Sequence, residues 1–172
     1  MKVTTNIKKS DLIFFNLYLL PKLKSTYLSL VIYVALIFAF LLWLHGIPKD
    51  ARDWSVLIFG SICGGFVGQI IGIIFTLFSI LLMSKEKNGI LGVHIYEISP
   101  EGLFEKTIAN EGLSKWSGIV EIKEAGNYLL FGISSYLFHI VPKRSFPKNE
   151  EYEKFVSFSK HEWAKAHNQV GK

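Results

Sequence analysis

The chain has 172 residues, half of them apolar, with a formal charge of +5 and a single cysteine, Cys63. One cysteine excludes an intrachain disulfide framework and any cysteine-based metal cluster, and a mean hydropathy of +0.33 is high for a soluble domain of this length. The positive charge is not the footprint of a nucleic-acid binder, because residues 88–172 carry ten Lys/Arg against ten Glu and the whole excess lies in residues 1–87.

Residues 1–27 form an amino-terminal segment with five lysines and one aspartate. Within it, "SDLIFFNLYLLPKLKSTY" at 10–27 reads as a short helix, with Ser10 and Asp11 at its start and Pro21 at its stop. Two placements suit its large apolar residues. One is an interfacial helix with Lys22 and Lys24 among headgroups; the other is a helix buried against the soluble part of the chain.

Two uncharged runs follow, Leu28–Leu44 and Trp54–Met83. A bilayer core of about 30 Å needs roughly 17–25 helical residues, so a two-helix hairpin over 28–83 is expected, with spans at 28–45 and 54–83. The first run begins too late, and ends on residues too large, for a cleavable signal peptide. Basic residues flank the outer ends of the hairpin, whereas the connecting "GIPKDARD" is balanced. This charge bias predicts both termini on the cytoplasmic side of a bacterial inner membrane. The second run, at 30 residues, would reach about 45 Å as a helix, so it tilts or continues beyond the bilayer.

Inside the second run, "GSICGGFVGQIIG" places Gly60, Gly64, Gly68 and Gly72 four residues apart, with Gly65 and Gln69 beside them. Each glycine costs a helix interior roughly 1 kcal/mol against alanine. A ridge without side chains offsets that cost by admitting a neighbouring helix closely. Ala35 and Ala39 share the spacing in the first span, so the two small faces are expected to meet, with Gln69 hydrogen-bonding across them. The same groove would also serve a homodimer. It is not a phosphate loop, because the Lys-Ser/Thr ending is missing.

From residue 88 the pattern changes to short runs rich in Ile, Val, Tyr, Phe and Leu, broken by "SPEG", "NEG", "EAGN" and "SS". Such spacing predicts an antiparallel sheet, with strands near 90–98, 102–109, 113–117, 119–124, 127–133 and 136–141. At the carboxy end, Tyr152, Phe155, Val156, Ser159, Trp163 and Ala166 fall on one helical face, with glutamates at the helix start and lysines towards its end. The predicted architecture is therefore a membrane hairpin plus an α+β cytoplasmic domain over 88–172.

No catalytic constellation assembles in the sequence. His161 and His167 lack the four-residue spacing of a zinc helix, and there is no Gly-x-Ser-x-Gly elbow. His94 and His139 fall in strands, where bonding to backbone is expected. An enzyme would need one of them to meet Glu97, Glu105 or Glu121 in a cleft. No cofactor or metal is expected. In "HIVPKRSFP" at 139–147, Pro142 ends a strand, and Lys143 with Arg144 then form either an anion site suited to a lipid headgroup or a solvated turn that offsets the nearby glutamates.

The ordered set "GVHIYEISPEGLFEKT", "KWSGIVEI", "YLLFGISSYLFHIVPKRSF" and "EEYEKF" resembles the YcxB-like family of bacterial membrane proteins. The resemblance implies two spans followed by a pleckstrin-homology-like (PH-like) domain, a six- to seven-stranded sheet or partly open barrel capped by the carboxy-terminal helix. It implies no reaction. The function expected is non-enzymatic recognition of a protein partner or an anionic lipid surface. The alternative is an immunity protein neutralising a membrane-acting or translocated toxin. The expected partners are accordingly membrane lipid, a toxin or envelope protein, or a second copy, with no nucleic acid.

Overall fold

The computed structural model describes residues 1–170, so the last two residues of the expected 88–172 domain lie outside the described residues. The chain divides into two compact units: Met1–Leu12 with Met83 onward, and Ile13–Leu82.

The first unit contains a strand that the sequence does not announce. Lys2–Ile7 forms β1, which turns Val3, Thr5 and Ile7 inward and pairs antiparallel with β2, Gly92–Ser99, in the register Val3↔Tyr96 and Ile7↔Gly92. Then come β3, Gly102–Lys106, and β4, Glu111–Lys115, each a hairpin partner of the strand before it. A second sheet comprises β5, Glu121–Ala125, β6, Tyr128–Gly132, and β7, Phe138–Pro142. The β5–β6 loop is only Gly126 and Asn127, and Gly126 takes a positive φ of 56°, which a residue with a Cβ adopts at a steric cost. Among the described residues, seven strands thus form sheets ordered β1-β2-β3-β4 and β5-β6-β7. There is no closed barrel among the described residues. β3 ends at Lys106 rather than near 109, because Thr107–Asn110 closes on itself: the Thr107 N–H donates to the Asn110 carbonyl at 2.8 Å.

The core between the sheets holds Tyr96, Ile98, Leu103, Trp116, Ile119, Leu129, Phe131 and Val141. Helix α4, Asn149–Val170, adds Tyr152, Phe155 and Val156 to it, the face that the 3.6-residue period marks. Trp163 Nε1 donates to the Ile119 carbonyl at 2.6 Å, so the indole buries its ring while its N–H is satisfied.

The chain enters its second unit through α1, Lys9–Leu19, followed by a 3-10 turn at Leu20–Lys22. Two long helices follow, α2, Lys24–His45, and α3, Ala51–Met83. Both are long and apolar enough to cross a membrane, and the apolar window of each is 0% buried, which distinguishes them from core helices of a soluble fold. They start three or four residues before the uncharged runs, because charged side chains are tolerated at helix ends that reach the polar interface. Asp50 caps α3, its Oδ1 accepting the Asp53 N–H at 2.8 Å.

The glycine ridge faces α2. A Cβ on Gly60 would lie 3.6 Å from Leu41, on Gly64 3.0 Å from Ile37, and on Gly68 3.5 Å from Tyr33. The tightest approach is at Gly65, where a Cβ would overlap Val34 Cγ2 and lie 3.0 Å from the Val34 Cα and N. Ala35 and Ala39 do not take part, since both are exposed while Tyr33, Val34 and Ile37 line the seam. The alanine pair has the right spacing but the wrong phase: at about 100° per residue, Ala35 points roughly one step round the helix from Val34. The meeting is therefore between bare backbone on α3 and large side chains on α2.

Candidate functional site

β7 stops at Pro142, which has no N–H to offer a ladder, and a 3-10 turn at Lys143–Ser145 links it to α4. The Lys143 N–H donates to the Asn127 carbonyl at 2.8 Å, fixing the turn against the β5–β6 loop. The two basic side chains of the turn then separate. Arg144 donates to both carboxylate oxygens of Asp11, at 2.7 and 2.6 Å, and to the Asn6 carbonyl at 3.0 Å. Asp11 is fully buried and also accepts from the Tyr128 hydroxyl at 2.8 Å and the Lys8 N–H at 2.7 Å. Burial by itself raises the Asp11 pKa, but the hydrogen bonds from Arg144, Lys8 and Tyr128 outweigh it and hold the carboxyl below its ordinary value. The same pairing pushes Arg144 up.

Lys143 instead lies 4.9 Å from the centre of the Tyr152 ring. Around it opens a cleft of about 450 Å³ lined by Asn127, Tyr128, Lys143, Arg144, Phe146, Lys148 and Asn149. Of the pair expected to form an anion site, both members reach the cleft, but Arg144 is neutralised by Asp11. Lys148 supplies the second cation of the cleft outside the Asp11 pair, and the sequence reading missed it. The signal for Asp11 was its isolation as the one acid among the first 27 residues.

A second polar cluster bridges the sheets. Glu105 on β3 contacts His94 Nδ1 on β2 at 3.0 Å and His139 Nδ1 on β7 at 3.1 Å. An ionised carboxylate only accepts, so both facing nitrogens carry hydrogen. Burial raises the Glu105 pKa, but the hydrogen bonds from His139 and His94 and the charge on His139 lower it further, and the net result is a pKa well below the ordinary glutamate range. Buried Tyr96 stands beside the group, its hydroxyl 3.4 Å from His94 Nδ1 and its pKa pushed well up, first by burial and then by the Glu105 charge. His94 Nε2 is buried with no hydrogen-bond partner among the described residues.

The two histidines thus bond a carboxylate rather than backbone. The histidine–glutamate encounter that an enzyme would need occurs at Glu105, not at Glu97 or Glu121. Ser114 Oγ lies 3.4 Å from His139 Nε2, so serine, histidine and glutamate stand in hydrolase order. That separation is long for a hydroxyl donor, and the basic cleft does not reach the group. What the arrangement does is cross-link β2, β3 and β7. Among the described residues, no three or more His, Cys, Asp or Glu side chains are placed to hold a metal ion.

In the hairpin, Gln69 meets α2 as expected, with Ser29 Oγ 2.9 Å from Gln69 Oε1 and 2.8 Å from the Thr26 carbonyl. The Ser29 hydroxyl is the donor and has one hydrogen, which the Gln69 Oε1 and the Thr26 carbonyl share as acceptors.

Residues 98–159 match a family model described as YcxB-like protein, the family whose motifs the sequence resembles. The match runs from the end of β2 into α4, takes in the basic cleft, and is preceded by the two apolar helices. No curated protein matches the chain. No solved structure matches it either.

Proposed function

We propose, with the YcxB-like match as the premise, that this is a non-enzymatic protein of the bacterial inner membrane whose PH-like cytoplasmic domain recognises the anionic headgroup of a lipid. The observation that carries this reading is the cleft at the β7–α4 connection, lined by Lys143 and Lys148, for which no ion pair is found among the described residues, together with Asn127 and Asn149. Two ammonium groups lining one concavity suit a phosphate or carboxylate. A domain tethered at a leaflet meets headgroups at high effective concentration. Sheets of four and three strands with a carboxy-terminal helix are in keeping with the PH-like arrangement, and this is an analogy of fold alone.

Two features support the topology. β1 and β2 share one hydrogen-bonded sheet although the hairpin separates them in sequence, so both flanks of the hairpin lie on one side of the bilayer. The lysines of residues 1–27 and of "SKEK" favour the cytoplasm as that side.

The full chain, purified in mild detergent, is titrated with phosphatidylglycerol and with phosphatidylcholine, and lipid retention is read by native mass spectrometry. Preferential retention of the anionic lipid is expected. The Lys143→Ala/Lys148→Ala double variant should lose about 2 kcal/mol, on the order of thirtyfold. Equal retention by the double variant refutes lipid recognition at this cleft. A polypeptide captured in a Lys143-dependent manner would show instead that the cleft reads a protein.

A further inference from the structure

The end of the first unit from which both links to the hairpin depart carries exposed apolar side chains that its core does not use. Ile7, the last residue of β1, pairs with Gly92, the first of β2. The chain therefore leaves toward α1 and returns from α3 at the same end of the four-stranded sheet. β3 runs antiparallel to β2, with Ile95↔Lys106, which brings the Thr107–Asn110 turn to that end too. The returning link touches this turn: a Cβ on Gly89 would meet Thr107 Oγ1 at 2.7 Å and the Ala109 Cβ at 2.9 Å.

The turn is a rigid mount. Thr107 Oγ1 accepts the N–H groups of Ala109 and Asn110, each at 3.1 Å, and lies 2.8 Å from Asn110 Oδ1. On its tip Ile108 is 80% exposed, with Val93 at 56% and Ile90 at 42%. A shallow cleft of about 300 Å³ joins Ile108 to Leu91, Val93 and Ile95, with Glu86 and Lys106 at its edge. Around the same end, Lys8, Lys9, Lys85 and Lys87 are exposed.

We infer that this end of the domain is a leaflet-docking surface, in which the Thr107–Asn110 turn carries Ile108 into the interfacial layer of the bilayer that α2 and α3 cross. The occupant follows from chain continuity. Gly89 lies six residues after the end of α3 at Met83, and the charged Lys85–Lys87 segment between them belongs at headgroup level. The tip is packed against that link, so its tether to the end of α3 is short along the chain. Exposed apolar side chains with lysines at the same end, here interspersed with Glu86, are a composition that interfacial binding uses. The inference rests on the membrane reading and is independent of the Lys143–Lys148 cleft.

The test uses the full chain with Cys63→Ser, and a single Ile108→Cys labelled with an environment-sensitive fluorophore, in nanodiscs of phosphatidylcholine alone. Neutral lipid separates this surface from anionic recognition, so either proposal can fail without the other. Tyr136→Cys is the control, exposed in the β6–β7 loop at the opposite end of its sheet. Blue-shifted emission that is several-fold brighter than in water, and quenched by lipids brominated in the upper acyl chain, is expected at Ile108 and not at Tyr136. If Ile108→Cys alters the circular dichroism of the chain, Ile90→Cys takes its place with the same expectation. A water-like spectrum, an equal shift at Tyr136, or a shift that appears only at high protein concentration and resists lipid quenching overturns the inference, the last by identifying a second copy as the occupant.

Discussion

Arg144 and Asp11, 133 residues apart in the chain, meet in two hydrogen bonds of 2.7 and 2.6 Å. The pair fastens the first turn of α1, where the chain sets out for the hairpin, to the connection that carries the basic cleft.

The two partners are unequal, which makes an asymmetric prediction. Arg144→Ala strands a carboxylate that is fully buried, whereas Asp11→Ala frees a guanidinium already 43% exposed, able to turn to water. Removing one partner of a buried pair costs about 3–5 kcal/mol, and the partial exposure of Arg144 places this pair below that range. Arg144→Ala should therefore destabilise the chain by about 2 kcal/mol and Asp11→Ala by about 1 kcal/mol, read as melting temperatures in detergent. Equal losses would argue that the pair behaves as a surface bridge.

Acid should weaken the fold through two carboxyls. Asp11 and Glu105 are both held below their ordinary values of 3.8 and 4.5, so at acid pH the unfolded chain binds protons that the folded chain does not. Their contribution is complete above those ordinary values and is lost as pH falls below 4.5 and then 3.8 toward the folded values. Melting temperature followed into the acid range should decline there, and Glu105→Gln should flatten the decline while lowering stability at neutral pH. An unchanged acid limb in Glu105→Gln would remove Glu105 from the account.

The glycines of the hairpin are not equivalent. At Gly65 a methyl group meets the backbone of Val34, which cannot yield without parting the helices, so Gly65→Ala should cost about 1–3 kcal/mol. At Gly60 the nearest atom is 3.6 Å away, an ordinary contact, and Gly60→Ala should be neutral or gain up to about 1 kcal/mol of helix propensity. Unfolding of the two variants in mixed micelles, measured by denaturing-detergent titration, decides this; a cost at Gly60 equal to that at Gly65 would contradict the packing described.

A fragment comprising residues 84–172 should fail to fold cooperatively, because it lacks β1. Val3 and Ile7 are then missing from the core, and β2 is left with an open edge. Fusing residues 1–12 to the fragment through a flexible linker should restore resistance to limited proteolysis. A protease-resistant fragment without them would show that β1 is dispensable.

Much of this fold is local and was therefore legible. The long uncharged runs, the alternation in β2, and the Tyr152–Phe155–Val156 stripe each depend on spacings of two to four residues, and such spacings are present in the sequence whatever the rest of the chain does. Lys143 was legible too, as a cation left at the end of a strand that Pro142 must terminate. β1 was not: "KVTTNI" is short and half polar, and it becomes a strand only because Gly92–Ser99 offers it a ladder from beyond two membrane-length helices. For the same reason the partner of Arg144, the choice of Glu105 over Glu97 and Glu121 as the glutamate that holds both His94 and His139, and the choice of Val34 over Ala35 at the seam were not decided by the sequence. Periodicity defines the faces of an element, but which face meets which is decided by the packing of the whole chain, where free energy depends on volume and register rather than on neighbours along the backbone.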